Sequence, residues 1–260
     1  MPLLDATVSN YMNPSVRAVY PSDTLELARN RLIEWNISAL AVVEEFQNSI
    51  RLCGVITRTD LIRVGEPSGD TYSANRLVMP DANVASVMSQ DVVCLHEADL
   101  VTTAAQLMVK HAIHRVFVEG SAGIAGVLST RDVMRAVADR GIAHPIADYM
   151  SSPVIAMHTA TPIVDAIQEL DKEEISTIVV LENGWPCGVF TQEDALVAKK
   201  WKGEKLSDAM SPAILVLPEF TALNRAASNA AAVEVRSIIV SRNNLMVGVL
   251  TGLDFCRAVL

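Results

Sequence analysis

Gly54-Val-Ile-Thr-Arg-Thr-Asp60, Gly126-Val-Leu-Ser-Thr-Arg-Asp132, Gly188-Val-Phe-Thr-Gln-Glu-Asp194 and Gly248-Val-Leu-Thr-Gly-Leu-Asp254 are four versions of one pattern, Gly-Val-apolar-[Ser/Thr]-x-x-Asp. A second set of anchors lies upstream: Met12, Met88, Met150 and Met210, each four residues after Val8, Val84, Ile146 or Leu206. From Met to Gly the distance is 42 residues in the first copy and 38 in each of the others. Four chance matches at that spacing are implausible, so the chain is an internal repeat.

Between the anchors every copy has the same grammar. A short apolar stretch such as Val92-Val93-Cys94-Leu95 precedes an N-cap candidate at Asp23, Asp99, Thr161 or Thr221. The first copy then places Leu25, Ala28 and Leu32 on one helical face, Asp23 and Glu26 have capping-box spacing, and Pro162 suits a first helical turn. Apolar strands follow at Leu40–Val43, Val116–Val118, Ile178–Leu181 and Ile238–Val240. Hairpins return through Asn183-Gly184 or Gly120–Gly123 to the Gly-Val strand, and a longer first hairpin around Glu45–Arg51 explains the 42. A second helix is expected to begin at the motif Asp. The unit is β-α-β-β-α, an α/β (α+β) fold, with repeats at 7–66, 84–141, 145–203 and 205–260 and a connector at 67–83. A unit this small exposes an apolar face, so the repeats should pair. Chain order groups them as 1–141 and 142–260.

Length and composition agree with this reading. The 260 residues exceed one ordinary domain of ~150, half are hydrophobic, and only 5% are aromatic, so Ala, Val, Leu and Ile must fill the interior. With 21 Lys+Arg against 30 Asp+Glu the net charge is −9, which disfavours a general nucleic-acid surface. No apolar run reaches the ~18–20 residues of a membrane span, and Met-Pro-Leu-Leu-Asp lacks the basic flank of a signal peptide, so a cytoplasmic protein is expected. Cys53, Cys94, Cys187 and Cys256 lack C-x-x-C spacing and read as buried thiols. His111 and His114 are three apart, but a helix-to-strand change between them weakens a metal reading. No G-x-S-x-G, P-loop or G-x-G-x-x-G occurs, and the protein is read as not an enzyme.

The repeated motif supports two readings. In one, Thr57, Ser129, Thr191 and Thr251 only cap the second helices, with Asp in place of the usual Glu/Gln. In the other, a helix N-terminus offers N–H donors to an anion, and a carboxylate without a basic partner suits the vicinal hydroxyls of ribose. Hydroxyl, carboxylate and helix end together describe a nucleoside-phosphate pocket.

Four copies of a Met-anchored β-α-β-β-α unit ending in this motif resemble cystathionine-beta-synthase (CBS) domains, which pair into Bateman modules. The four-copy layout is similar to that of gamma regulatory subunits of AMP-activated protein kinases. The second strand of many members carries a Pro where this chain has Ala41, Phe117, Val179 and Ile239. The resemblance implies a regulatory protein without a catalytic cofactor, binding AMP, ADP or ATP, with or without Mg²⁺, in clefts of paired repeats and acting on an unidentified partner protein. S-adenosylmethionine is an alternative ligand, an apo interaction module is the alternative role, and a homodimer is an open possibility. Neither nucleic acid nor membrane is an expected partner.

Carried onto this sequence, the nucleotide-binding residues are Thr57, Arg58 and Asp60; His114, Arg115, Ser129, Arg131 and Asp132; Thr191 and Asp194; and Arg236, Thr251 and Asp254. The second set is the most basic, whereas Gln192 and Glu193 turn the third acidic. An opposite charge at ~4 Å is worth about 4 kcal/mol at an effective dielectric of 20, before desolvation. The second pocket therefore ranks first for phosphorylated ligands and the third last.

Overall fold

β-branched residues on both sides of a tight turn favour a hairpin, and every Gly-Val strand pairs antiparallel with the apolar strand before it. The structure, a computed structural model, describes residues 5–46, 49–67, 77–121, 123–198 and 203–260. In the first repeat β1 (Ala18–Val19), α1 (Leu25–Glu34), β2 (Ala39–Phe46) and β3 (Ser49–Thr57) lead into α2 (Arg58–Val64). A two-stranded ribbon, β4 (Glu66–Pro67) and β5 (Leu77–Val78), follows. The second repeat contains β6 (Cys94–His96), α3 (Val101–Lys110), β7 (Arg115–Gly120), β8 (Gly123–Ser129) and α4 (Thr130–Asp139). The third has β9 (Ala156–His158), α5 (Ile163–Lys172), β10 (Thr177–Glu182), β11 (Trp185–Thr191) and α6 (Gln192–Val197). After the single turn α7 (Leu206–Ala209) come β12 (Val216–Pro218), α8 (Leu223–Ala232), β13 (Ser237–Arg242), β14 (Leu245–Thr251) and α9 (Gly252–Arg257). The order is β-α-β-β-α four times, and the middle strand is central in each three-stranded sheet.

The hairpin chemistry is as read from the sequence. Asn183 and Gly184 have φ of 51° and 83°, and Asn243 and Asn244 have 50° and 63°, the left-handed pair that a tight two-residue turn requires. The first hairpin is the long one, although its tip at 47–48 lies outside the described residues.

The helix starts differ from expectation by one residue. The first-helix N-caps are Thr24, Leu100, Pro162 and Ala222, while Asp23 and Asp99 instead accept from the backbone N–H of Tyr20 (2.9 Å) and His96 (2.7 Å). The expected Asp23–Glu26 box does not form, because a backbone carbonyl from outside the repeat meets each helix start. The N–H groups of Leu25, Val101, Ile163 and Leu223 donate to the carbonyls of Ala82, Ala6, Glu204 and His144 at 2.9–3.1 Å. Such bonds satisfy donors that have no partner inside a helix, and three of the four caps then need no polar side chain. The second helices begin directly after the motif Ser/Thr rather than at the Asp, which occupies the third helical position.

Those carbonyls belong to extended arms, and the arms explain the Met and Gly anchors. Asn13 bridges Val127, Ser89 bridges Val55, Ser151 bridges Val249 and Ser211 bridges Val189. A Cβ on Gly126 would sit 2.8 Å from Met12 Sδ, and one on Gly54 would sit 2.8 Å from Met88 Sδ. Gly188 and Gly248 face Met210 and Met150 in the same way. Each Met therefore packs on the Gly of the neighbouring copy, first with second and third with fourth, and not on its own. Gly126→Ala is expected to force Met12 and the Asn13 carbonyl, 2.9 Å from the new methyl, out of place. The overpacking should cost about 1–3 kcal/mol, read as a lowered Tm.

The bodies of the repeats share cores differently. One compact unit comprises Met1–Val16, Val92–Val154 and Ala213–Leu260, and the other comprises Arg17–Asp91 and Ile155–Pro212. In the first, Val133, Met134 and Val137 of α4 share a core with Ala226 and Ala230 of α8 and Phe255 of α9. In the second, Leu25 and Leu32 of α1 and Leu61 of α2 share a core with Ile163 of α5, Phe190 of β11 and Leu196 of α6. Copies two and four thus bury their helix faces together, as do copies one and three. The chain-order grouping at 1–141 and 142–260 is not where the cores divide. Of the expected connector, residues 68–76 lie outside the described residues, and Leu77 and Met79 beyond them are buried in the second unit's core.

Candidate functional site

All four motifs form capping boxes. The backbone N–H and side-chain hydroxyl of Thr57, Ser129, Thr191 and Thr251 both donate to one carboxylate oxygen of Asp60, Asp132, Asp194 and Asp254, at 2.6–2.8 Å. The same local order therefore builds four similar helix starts.

The second carboxylate oxygen distinguishes the copies. Asp254 is completely buried, and its Oδ1 accepts from Ser151 Oγ at 3.0 Å and pairs with Arg257. Asp132 Oδ1 lies 3.3 Å from the half-exposed Arg135 guanidinium, a rim pair of little strength. No basic side chain is paired with Asp60 or Asp194 among the described residues. Burial pushes the Asp194 carboxyl above its ordinary range, against the two bonds from Thr191 that pull it down.

In the first unit the two motif helices start against each other. A Cβ on Gly252 would lie 2.3 Å from Thr130 Oγ1, so only glycine permits the approach. The Thr130 N–H donates to the His114 carbonyl at 3.0 Å, Arg115 faces Ser129 across the hairpin, and Ser237 faces Thr251. The strand starts His114-Arg115 and Arg236-Ser237 are thereby gathered beside the N-terminus of α4. Burial, and then the charges of Arg115 and Arg236, lower the His114 pKa to about 4. Arg131 is exposed in the first turn of α4. At ten residues α4 is the longest motif helix, so it carries the most developed dipole of the four.

The corresponding place in the second unit is filled from within. The Arg58 N–H donates to the Ser38 carbonyl at 3.1 Å, and the Arg58 side chain is only 4% exposed. Its Nη1 donates to Glu193 Oε2 at 2.7 Å and its Nη2 to Asn36 Oδ1 at 3.3 Å. Arg58 and Glu193, read from sequence as opposite influences on two pockets, are one ion pair. Asn36 was not singled out by the sequence reading. Its signal is positional, because the first helices end in left-handed residues at Asn36, Ala112, Glu174 and Glu234, and Asn tolerates that conformation best.

The remaining reactive side chains are quiet. All four cysteines are free, and burial pushes Cys94 to about 11 and Cys256 to about 12, so both stay protonated thiols. No group of three or more His, Cys, Asp and Glu suited to a metal ion occurs among the described residues, and no helix among them is long and apolar enough to cross a membrane.

Fold and site define a tandem β-α-β-β-α repeat protein whose polar apparatus is concentrated where strands hand over to capped helices. The chain belongs to the CBS domain family, which matches residues 8–66, 84–139 and 146–200. The fourth repeat lies outside those matches but has the same elements and capping box. CBS domain pairs are generally regulatory, ligand-binding modules rather than catalytic ones. A Methanocaldococcus jannaschii protein proposed as an archaeal homologue of gamma-AMPK has the same fold, with a TM-score of 0.81, 18% identity, and coverage of 97% of this chain and 99% of that one. A conserved protein from Pyrococcus horikoshii covers 98% of this chain and 100% of its own at a TM-score of 0.69 and 17% identity. In sequence, a 33.4 kDa protein of a Thermofilum pendens ribosomal RNA operon is 23% identical over 206 residues, 74% of this chain and 64% of that protein. A homoserine O-acetyltransferase of Methanohalophilus mahii is 31% identical over 124 residues, 47% of this chain and 25% of the enzyme. The chain thus spans less than two thirds of either curated relative.

Proposed function

We propose that the protein is a non-catalytic regulatory module that binds an adenine nucleotide (AMP, ADP or ATP, the last with or without Mg²⁺) and passes that state to a partner protein in the cytoplasm. The observation that carries this reading is the gathering of His114, Arg115 and Arg236 beside the N-terminus of α4. Helix donors and guanidinium groups suit phosphate, and the adjoining Asp132 carboxylate suits ribose hydroxyls once the rim pair with Arg135 yields. Ser129 and Arg131 complete this site and Thr251 and Asp254 line a weaker one, while Thr57, Arg58, Asp60, Thr191 and Asp194 keep the motif at a junction that the Arg58–Glu193 pair fills. The reciprocal arms favour grouping the repeats as modules 1–141 and 142–260, and a homodimer is compatible with this reading.

The test is calorimetric titration with AMP, ADP, ATP and S-adenosylmethionine. Loss of two charge-assisted hydrogen bonds to the Asp132 carboxylate should weaken the preferred ligand by at least ~100-fold in Asp132→Ala. The alternative, in which the motifs serve only as caps, is favoured by the four capping boxes and by the burial of Asp254. It predicts no heat with any ligand, and a Tm loss in Asp132→Ala that nucleotide leaves unchanged.

A further inference from the structure

We infer that Glu193 is a built-in anion that closes the junction of repeats one and three to phosphorylated ligands, so that anion binding is confined to the unit containing His114, Arg115 and Arg236. The inference rests on the proposed nucleotide reading for its consequence, but its physical content is independent of it. Arg58 and Thr130 occupy the same motif position, directly after the capping Ser/Thr, and Glu193 occupies the position of Leu253. At the junction of repeats two and four these positions carry no charge, and the cations lie around them. At the junction of repeats one and three a cation occupies the position itself and is buried, with its carboxylate supplied from the facing repeat. A guanidinium out of water needs a hydrogen-bonded anion beside it. Glu193 meets that need at 2.7 Å from a side chain that remains 34% exposed, so the carboxylate forms the solvent edge of the junction. A phosphate arriving there meets an occupied guanidinium and a like charge at the position it would have to take.

Removing the carboxylate should convert the closed junction into an anion site. In Glu193→Ala the Arg58 Nη1 loses that acceptor, and the Tm of the full chain is expected to fall by about 5–10 °C in chloride buffer. Inorganic phosphate at constant ionic strength should restore more of the Tm in this variant than it adds to the wild type. Glu193→Gln keeps the size but not the charge, and should show the same excess response with a smaller initial loss. In Arg58→Ala/Glu193→Ala the excess should vanish, because no buried cation is left to recruit phosphate. A phosphate response in both single variants no larger than that of the wild type, or one that persists in the double variant, overturns the inference. If Glu193→Ala does not fold in either buffer, Glu193→Gln and the double variant decide it alone. Failure of the nucleotide reading would show separately, as wild-type protein giving no heat with any adenine nucleotide whatever the Glu193 variants do.

Discussion

Between pH 6.5 and about 4 the folded protein is expected to lose about 3 kcal/mol of stability through one side chain, His114. The cause is its place at the junction of repeats two and four. Burial disfavours the imidazolium, Arg115 beside it on the chain adds repulsion, and Arg236 adds more from the facing repeat. On α4, which packs against the same corner, Arg131 is a third cation and Asp132 an acid whose carboxylate is already bonded to Ser129 and Arg135. The folded pKa lies below the unfolded value, so the unfolded chain takes up the proton first. Stability is full above pH 6.5, declines as the pH falls through the window, and levels off below about 4. The raised Asp194 contributes with the opposite sign, since the folded state holds its proton more tightly. Urea unfolding of wild type and His114→Gln across this range checks the assignment. The variant should lose distinctly less stability, and parallel curves would place the acid sensitivity elsewhere.

Replacing Arg115 and Arg236 together by alanine should weaken binding of the preferred adenine nucleotide by at least ~100-fold. A charge-assisted hydrogen bond to phosphate contributes about 1.5–3 kcal/mol, which is about 10–100-fold for each guanidinium. Both lie next to strand residues paired to motif hydroxyl positions, Arg115 opposite Ser129 and Arg236 immediately before Ser237, which faces Thr251. Calorimetric titration of the double variant should show that loss, and the wild-type affinity should fall as salt rises, as screening of an exposed anion requires. Arg131→Ala, on the solvent side of α4, should cost less than ~10-fold. Unchanged affinity in the double variant would mean that the phosphate is bound elsewhere.

The parts of this protein that were legible in the sequence are those set by near neighbours. A Ser or Thr three residues before an Asp closes a capping box from atoms within one turn, and all four formed at the numbered positions. The Asn183-Gly184 turn and the long first hairpin are equally local. The first-helix caps were misplaced by one residue because their acceptors, such as the Ala82 carbonyl for Leu25, come from a distant arm and leave no side-chain signature. The Arg58–Glu193 pair was not legible for a related reason. Glu193 is 135 residues away from Arg58, and nothing beside Arg58 in the chain indicates that its guanidinium is buried.

By itself, then, the sequence determined the repeat, its β-α-β-β-α order and its capped helix starts, since each depends on spacings of a few residues that any copy satisfies alone. The tertiary structure decided which copy meets which. Each anchor Met meets the anchor Gly of the neighbouring copy, with its side chain lying where a Cβ would be, and not the Gly 38 or 42 residues further along its own copy. The tertiary structure also decided that copies two and four share one core and copies one and three the other, since α4 with α9, and α2 with α6, cover apolar faces that no single repeat can bury. Charge followed burial. The same motif position is a buried, uncharged Thr130 packed against Gly252 in one unit and a buried Arg58 paired with Glu193 of the facing repeat in the other.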